Sequence, residues 1–379
     1  MKKQRIKVLL IMLLVITSIT IYILVIRPKG FGIINGKVDF KVINKIEYDP
    51  LDKVDIQQLD KNIIKSSKDG VTMENLNGTA IWDKTFNMMN PKVIKESKYL
   101  AVGDISGKEV YLFNKEGFVR RYNVNYPILM YDINEKGIVV IIQQSVKGHI
   151  IEIFDDGGKR IVHRETFLES DGYPLAFDIS KDGTKVVTSY LFVKGNSITS
   201  NLTFFNFSET GQRFEEKVTG GYSIDGTIIP QLKILDNKHV CAIGDNQILF
   251  YKLDVVPEEI NQIELTNEIK MVNYTDNKLL ILFGKTTKND ESYKDNSLVI
   301  YSNIGKVLSN TEFDDNITYL SGNMDKYYVE SDLFIREYCN GKINWKATIK
   351  EDIKKIMPFG KNTFIIVLQD EYRIIKIVK

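Results

Sequence analysis

Three histidines, two cysteines and a few aspartates in glycine-rich turns are the residues of this chain best equipped for chemistry. Their spacing assembles none. His149, His163 and His239 lack the short His-x-x-x-His interval that aims two imidazoles at one metal. They read as surface or strand-filling residues. Asp155-Asp156-Gly157-Gly158-Lys159 has the composition of a phosphate or cation loop, but it falls where a strand hairpin must turn. Asp132 and Asp178 each stand five residues before a turn glycine, Gly137 and Gly183. Carboxylates there can be ligands, but they also bond local backbone N–H groups and shape the turn, which is the reading adopted. No Gly-x-Ser-x-Gly elbow, Walker loop or Asp-x-Asp-x-Asp-Gly calcium loop occurs. The sequence predicts no catalytic residue, no metal site and no cofactor. Cys241 and Cys339 fall in different repeats and read as buried free thiols; a disulfide would require the fold to bring them together.

The elements that must position any site are short strands. Beyond residue 36 the apolar segments are 5–9 residues long and end at Gly, Asn, Asp or Lys clusters. One turn signal recurs eight times: Asp60-Lys61-Asn62, Glu96-Ser97-Lys98, Asn134-Glu135-Lys136-Gly137, Lys181-Asp182-Gly183, Asp236-Asn237-Lys238, Asp276-Asn277-Lys278, Asp325-Lys326 and Gly360-Lys361-Asn362. A second signal, as in Asn77-Gly78, Gly157-Gly158 and Ile304-Gly305, supplies the positive φ of tight hairpins. A period of about 40–45 residues with four strands, a to d, per unit predicts an all-β fold, a β-propeller of four-stranded blades.

Full units run over 53–87, 89–124, 127–168, 173–218, 228–264, 267–314 and 316–349. In the fourth, strand d is read at 212–218, QRFEEKV. The C-terminus supplies strands a to c and no d. The segment 37–46 can fill that place, closing the ring over 37–379 and removing an open sheet edge. Eight blades follow; seven would follow if 37–60 were irregular and one unit misread.

The N-terminus differs in kind. Residues 1–7 are a basic tail, and Val8 to Ile26 is an uncharged run of 19 residues. As a helix it would span about 28 Å, close to the roughly 30 Å hydrocarbon core. No small-x-small cleavage site follows, so the run reads as an uncleaved transmembrane signal anchor. Four basic residues precede it and two follow, which places the N-terminus in the cytoplasm and the propeller outside the cell membrane. A linker, 27–36, spans at most about 35 Å. Residues 1–30 carry +6, so the total of +2 leaves the remainder at 2 minus 6, or −4. That mildly acidic body argues against nucleic-acid binding.

In Asn77-Gly78-Thr79-Ala80-Ile81-Trp82 and Asn340-Gly341-Lys342-Ile343-Asn344-Trp345, Trp falls four residues after Gly. This resembles the tryptophan-docking repeat of quinoprotein-like propellers, whose outer strands carry Gly-Lys-x-x-Trp. Residues 176–185, AFDISKDGTK, are similar to the strand–turn–strand signature of propellers related to WD40 and the periplasmic translocation protein TolB. With its N-terminal span, the chain resembles membrane-anchored propeller proteins of Gram-positive bacteria. Quinoprotein dehydrogenases need acidic metal ligands and often a vicinal disulfide, and no Cys-Cys pair is present. The resemblance therefore implies the non-enzymatic branch, as in the outer-membrane assembly scaffold that shares the repeat. It implies that Trp82 and Trp345 pack one blade against the next.

Loop length directs the search for a binding surface. The a–b and c–d turns share one face of a propeller; the b–c and d–a connections share the other. The long connections read as Lys194–Ser200 (b–c), Gly220–Thr227 (d–a) and Gly284–Asn296 (b–c), all on the second face. Lys194, Tyr222, Asp225, Lys285, Lys288, Asp290, Glu291 and Tyr293 are the candidate contact residues there. The expected function is an extracytoplasmic interaction scaffold or sensor with envelope or membrane proteins as partners. The alternative is binding or hydrolysis of a carbohydrate or cell-wall polymer.

Overall fold

β-Branched and aromatic residues in short alternating runs, cut by turns that need positive φ, leave the chain few options other than hairpins. The computed structural model describes residues 37–379 except 276, 287–295, 323–325, 332–333, 340–341, 349–350, 361 and 379. It contains eight four-stranded antiparallel sheets. They are the blades of a propeller, spanning 55–85, 91–123, 128–167, 173–225, 231–264, 267–312 and 317–348, with the eighth built from 355–378 and 39–47. Neighbouring blades meet closely through their a strands, which surround the central channel. The apolar core is a series of inter-blade clusters, such as Leu202, Phe204, Leu232, Val240 and Tyr251 between blades four and five. The run at 8–26, read from the sequence as a transmembrane anchor, lies outside the described residues. Among the described residues no helix is long and apolar enough to cross a membrane.

The ring is closed by the strand Asp39–Glu47, which pairs antiparallel with Glu371–Val378 as the outer strand of blade eight. The register runs from Asp39 opposite Val378 to Glu47 opposite Glu371, with a bulge between Val42 and Asn44. Lys45 Nζ lies 2.5 Å from the buried Glu371 carboxylate. The closing strand also holds blade seven. Val38 N–H donates to Lys346 O at 3.1 Å, and Phe40 stands edge-on to Trp345 at 5.9 Å.

The recurring turns interlock. Asp60, Ser97, Asn277 and Asn362 take left-handed φ values of 52–74° at a–b turns, and Gly137 and Gly183 do the same without a Cβ penalty. Asn134 Nδ2 donates to Ser180 O at 3.1 Å, Asp182 N–H to Asn237 Oδ1 at 3.1 Å, and Lys181 Nζ to Asn277 Oδ1 at 3.3 Å. The turn signal thus stitches blades three to six together along one face, the turn face.

Outer strands dock on the next blade through rings. Trp82 of blade one stacks on Phe113 of blade two at 5.5 Å, and its Nε1 donates to Lys115 O. Trp345 of blade seven is fully buried against Phe364 of blade eight. Tyr122 meets Phe154 and Tyr222 meets Tyr251 in the same sense, while in blade three Arg164 lies over the Phe205 ring.

Blade four departs from the sequence reading. Its outer strand is Val218–Asp225, not 212–218; residues 207–217 form an insertion with two short 3₁₀ turns. The reason is amphipathicity. Thr219 is buried and Tyr222 and Ile224 pack against the inter-blade core, whereas Arg213, Glu215, Glu216 and Lys217 offer no apolar face to bury. The expected loop at Lys194–Ser200 is also absent. Lys185–Lys194 and Ser197–Asn206 pair throughout, joined by a two-residue turn at Gly195 and Asn196. The extra length of blade four therefore lies partly in this long b–c hairpin and partly on the turn face, in its c–d connection. Most of the third expected loop, Gly284–Asn296, lies outside the described residues.

Removal of residues 1–47 should leave blade eight with three strands and expose the edge of Glu371–Val378. The expected result, read by thermal denaturation and size-exclusion chromatography, is lost cooperativity and aggregation, while removal of residues 1–36 preserves a sharp transition.

Candidate functional site

The loop face is where b–c and d–a connections gather, and it exposes apolar side chains in sequence around the ring. Leu51 and Met89 stand out of the connections into blades one and two, at 85% and 92% exposure. From blade three onward the exposures join. Tyr126 N–H donates to Gln143 Oε1 and Gln144 N–H to Pro127 O, which bring Tyr126 beside the turn carrying Val146, itself 93% exposed. Gly148, two residues on, lies opposite Phe167; Tyr173 lies opposite Leu191; Val193 lies opposite Ile198. Tyr126, Val146, Phe167, Leu168, Tyr173 and Val193 thus form an arc over blades two to four. Scattered exposed apolar residues are ordinary, but a contiguous arc marks a contact surface.

His149 is buried beneath this arc. Its ring sits 5.1 Å from Tyr173, edge to face, and neither nitrogen has a hydrogen-bond partner. Of the two roles expected, surface or strand-filling, His149 takes the second: Gly148–Phe154 is an inner strand with both flanks paired. His163 bonds the buried Glu152, and His239 bonds Asp236 beside Asn303.

The candidate contact residues divide. Lys194 is exposed at the tip of the long hairpin, and Asp225 ends the outer strand, accepting from Thr199 Oγ1 at 2.8 Å; both belong to the loop face. Tyr222 does not. It packs on Phe204 and Tyr251, and its hydroxyl donates to Pro257 O at 2.9 Å, so it is a blade-docking residue. Lys285 lies in the strand Lys278–Thr286, and Lys288, Asp290, Glu291 and Tyr293 lie outside the described residues. Cys241 is fully buried and Cys339 partly so, and both are free thiols.

The channel wall carries the electrostatics. Asp132 accepts from Ile133 N–H at 2.8 Å, the local bond expected of it. Asp178 instead reaches across to blade five, accepting from Lys233 Nζ at 3.0 Å and from Ile234 N–H at 2.6 Å. The two aspartates share a sequence position but not a role, because only Asp178 faces a lysine on the following strand a. Burial, reinforced by the Asp178 charge and opposed by Lys233, raises the Asp132 carboxyl to about 7. Glu96 is also raised, chiefly by burial. Burial pulls the Lys233 ammonium down, but Asp178 and Asp132 outweigh it and hold it above its ordinary range. A cavity of about 340 Å³ opens here, lined among others by Lys92, Asp132, Phe177, Gln231 and Tyr274. Among the described residues no group of His, Cys, Asp and Glu has the geometry to hold a metal.

Comparison with known proteins adds a family. Residues 36–377 match the "Family of unknown function (DUF5711)". This chain belongs to that family. The DUF5711 propeller is similar in structure to BamB from Moraxella catarrhalis, with a TM-score of 0.51 and 12% identity over 89% of this chain and 100% of that one. It is similar to the tricorn protease at TM-score 0.51 and 12% identity, covering 79% of this chain and 34% of that one. These likenesses establish the propeller fold. A BTB/POZ domain-containing protein, L35, of Acanthamoeba polyphaga mimivirus is 31% identical over 108 residues. That match covers 26% of this chain and 20% of L35.

Two titrations of opposite sign follow from the site. Burial lowers the His149 imidazole, so its contribution is complete above about pH 6.5 and is lost as pH falls. The raised Asp132 carboxyl favours its protonated form, so stability is lost as pH rises from about 4 to 7. In urea denaturation at stepped pH, Asp132→Asn should gain on the order of 1–2 kcal/mol at pH 8, less than the full shift because Asp132 is only partly buried and solvent screens its charge. His149→Phe should flatten the profile below about pH 6.5 and leave pH 8 nearly unchanged.

Proposed function

We propose that this DUF5711 propeller is a membrane-tethered, extracytoplasmic interaction scaffold or sensor whose partners are envelope or membrane proteins. The carrying observation is the contiguous apolar arc on the loop face. The reading is non-enzymatic and needs no cofactor. Its membrane component rests on the uncharged run at 8–26 and on its basic flanks.

The position of the closing strand supports a definite orientation. Asp39 begins at the turn face, where blade eight's c strand ends at Val378. A tether of ten residues entering there holds the turn face toward the bilayer and presents the apolar arc away from it. The partner is then a protein within reach of the membrane surface that offers an apolar segment to blades two to four.

Amine-reactive crosslinking of the anchored protein in cells, through Lys147 and Lys194 beside the arc, tests this reading. A discrete partner is expected, lost in Val146→Asp and Val193→Asp variants that fold normally. Crosslinks indifferent to both substitutions would sink the arc as the contact surface.

The raised carboxyls of Asp132 and Glu96 favour a second reading, binding and hydrolysis of a carbohydrate polymer at the channel, where paired acids of unequal pKa are required. Release of reducing ends from cell-wall polysaccharide, abolished in both Asp132→Asn and Glu96→Gln, would establish it. No release from the wild-type chain would exclude it.

A further inference from the structure

The insertion of blade four forms one wall of a groove on the outer surface. The other wall is the outer strand of blade three, Arg160–Phe167. That strand pairs on one side only, with Gly148–Phe154; no described strand occupies its other edge, which is open up to Glu165 and capped at Phe167 by Ser170 and Asp171. Between the walls lies a cavity of about 520 Å³, lined by Ile161, Val162, Phe167 and Phe207 together with the charged Arg164, Glu165, Glu216 and Lys217 and with His163. Other outer strands also have a free edge. Here a trough of mixed apolar and charged side chains lies beside it.

One ion pair spans the groove. Arg164 Nη1 donates to Glu216 Oε2, while the guanidinium rests 5.2 Å from the Phe205 ring centroid. The Arg164 side chain is 18% exposed and that of Glu216 is 65% exposed. Arg164 Nε is buried and has no partner. The single carboxylate therefore uses only part of a fork built for a bidentate acceptor. Glu216 and Lys217 reach it through consecutive left-handed conformations, φ +49° and +61°, which non-glycine residues rarely adopt. Strained pairs of this kind persist where surrounding contacts hold them, and they cluster at clamps and switches.

We propose that this groove binds an extended, acidic segment of a partner protein. The segment adds as a strand to the free edge of Arg160–Phe167. Its apolar side chains lie over Ile161, Phe167 and Phe207, and its carboxylate replaces Glu216 on Arg164. Charge complementarity points to the occupant, since Arg164 already carries a carboxylate from the insertion that straps the groove and Lys217 lines the same groove. Strand addition is a general mode of peptide recognition, with main-chain bonds giving affinity and side-chain pockets giving specificity. Release of Glu216 also frees the strap from its left-handed turn. This surface meets the loop-face arc only at Phe167 and otherwise lies on the outer side of blades three and four; the proposal does not depend on the tether.

The test uses the full 379-residue chain and two capped, fluorescein-labelled peptides, Val-Thr-Ile-Glu-Ile-Thr-Val and its Gln counterpart. Fluorescence anisotropy should show the Glu peptide binding about tenfold more tightly to Glu216→Ala than to the wild type, with no such gain for the Gln peptide. Arg164→Gln should erase the preference for Glu. Amide exchange should slow in 161–165 when the Glu peptide is bound. Equal affinity for the two peptides, no gain in Glu216→Ala, or protection confined to other strands would overturn the proposal. Concentration-dependent dimerisation of Glu216→Ala, with the same amides protected, would assign the groove to a second copy and overturn it too. Should Arg164→Gln fail to fold, the Glu216 variants and the two peptides decide alone. Loss of crosslinked partners in Val146→Asp has no bearing on this result.

Discussion

Everything in this molecule depends on eight residue pairs between Asp39–Glu47 and Glu371–Val378. A propeller is a ring of sheets, and a ring has no stable intermediate state of closure. With the pairing made, every blade has two neighbours and every inter-blade cluster is covered. With it broken, blade eight offers a bare edge and the Phe40–Trp345 contact that ties it to blade seven is gone. The Lys45–Glu371 ion pair and the Tyr48 hydroxyl bond to Leu368 O fasten the same seam at the loop-face end.

Inside that ring, blades are joined in three concentric ways. Near the channel the links are charged and polar, as between Asp178, Lys233 and Ile234. At mid-depth they are apolar clusters of Leu, Ile, Val, Phe and Tyr. At the outer edge they are rings laid on rings, Trp82 on Phe113 and Tyr222 against Tyr251. Blade three substitutes a guanidinium at this outer position. Arg164 keeps the stacking role over Phe205 while retaining hydrogen-bonding capacity that an aromatic would lack.

The repeat, the blade count and the missing strand were legible because each is written as local chemistry. A turn needs Asn, Asp or Gly at fixed offsets, and a short strand needs an apolar face. Blade four was misread because its insertion contains plausible strand residues, Phe214 and Val218, and because Gly220 and Gly221 imitate a loop. What settles the matter is which alternation buries Tyr222 and Ile224, and that depends on blade five. Long-range burial also hid His149, whose position depends on Tyr173 of the next blade, and the divergence of Asp178 from Asp132, which depends on Lys233. The apolar arc left a faint trace: Met89, Val146 and Leu168 are apolar residues standing in connections. Their adjacency is a property of the ring and is not written in any one repeat.

The composite construction of blade eight has a consequence for biogenesis. Its outer strand is among the first described segments to leave the ribosome and its inner three are the last. The strand Asp39–Glu47 must therefore wait, unpaired, through the synthesis of more than three hundred residues. Blades one to seven can form from local hairpins as they emerge, but the final step joins the two ends of the propeller and has the largest sequence separation among its described strand pairs. The waiting strand is itself poorly suited to premature pairing. Lys41, Lys45 and Glu47 place charge along it, and its bulge disrupts register with any partner but its own. The irregularities of this one strand thus guard the nascent chain until its partner arrives.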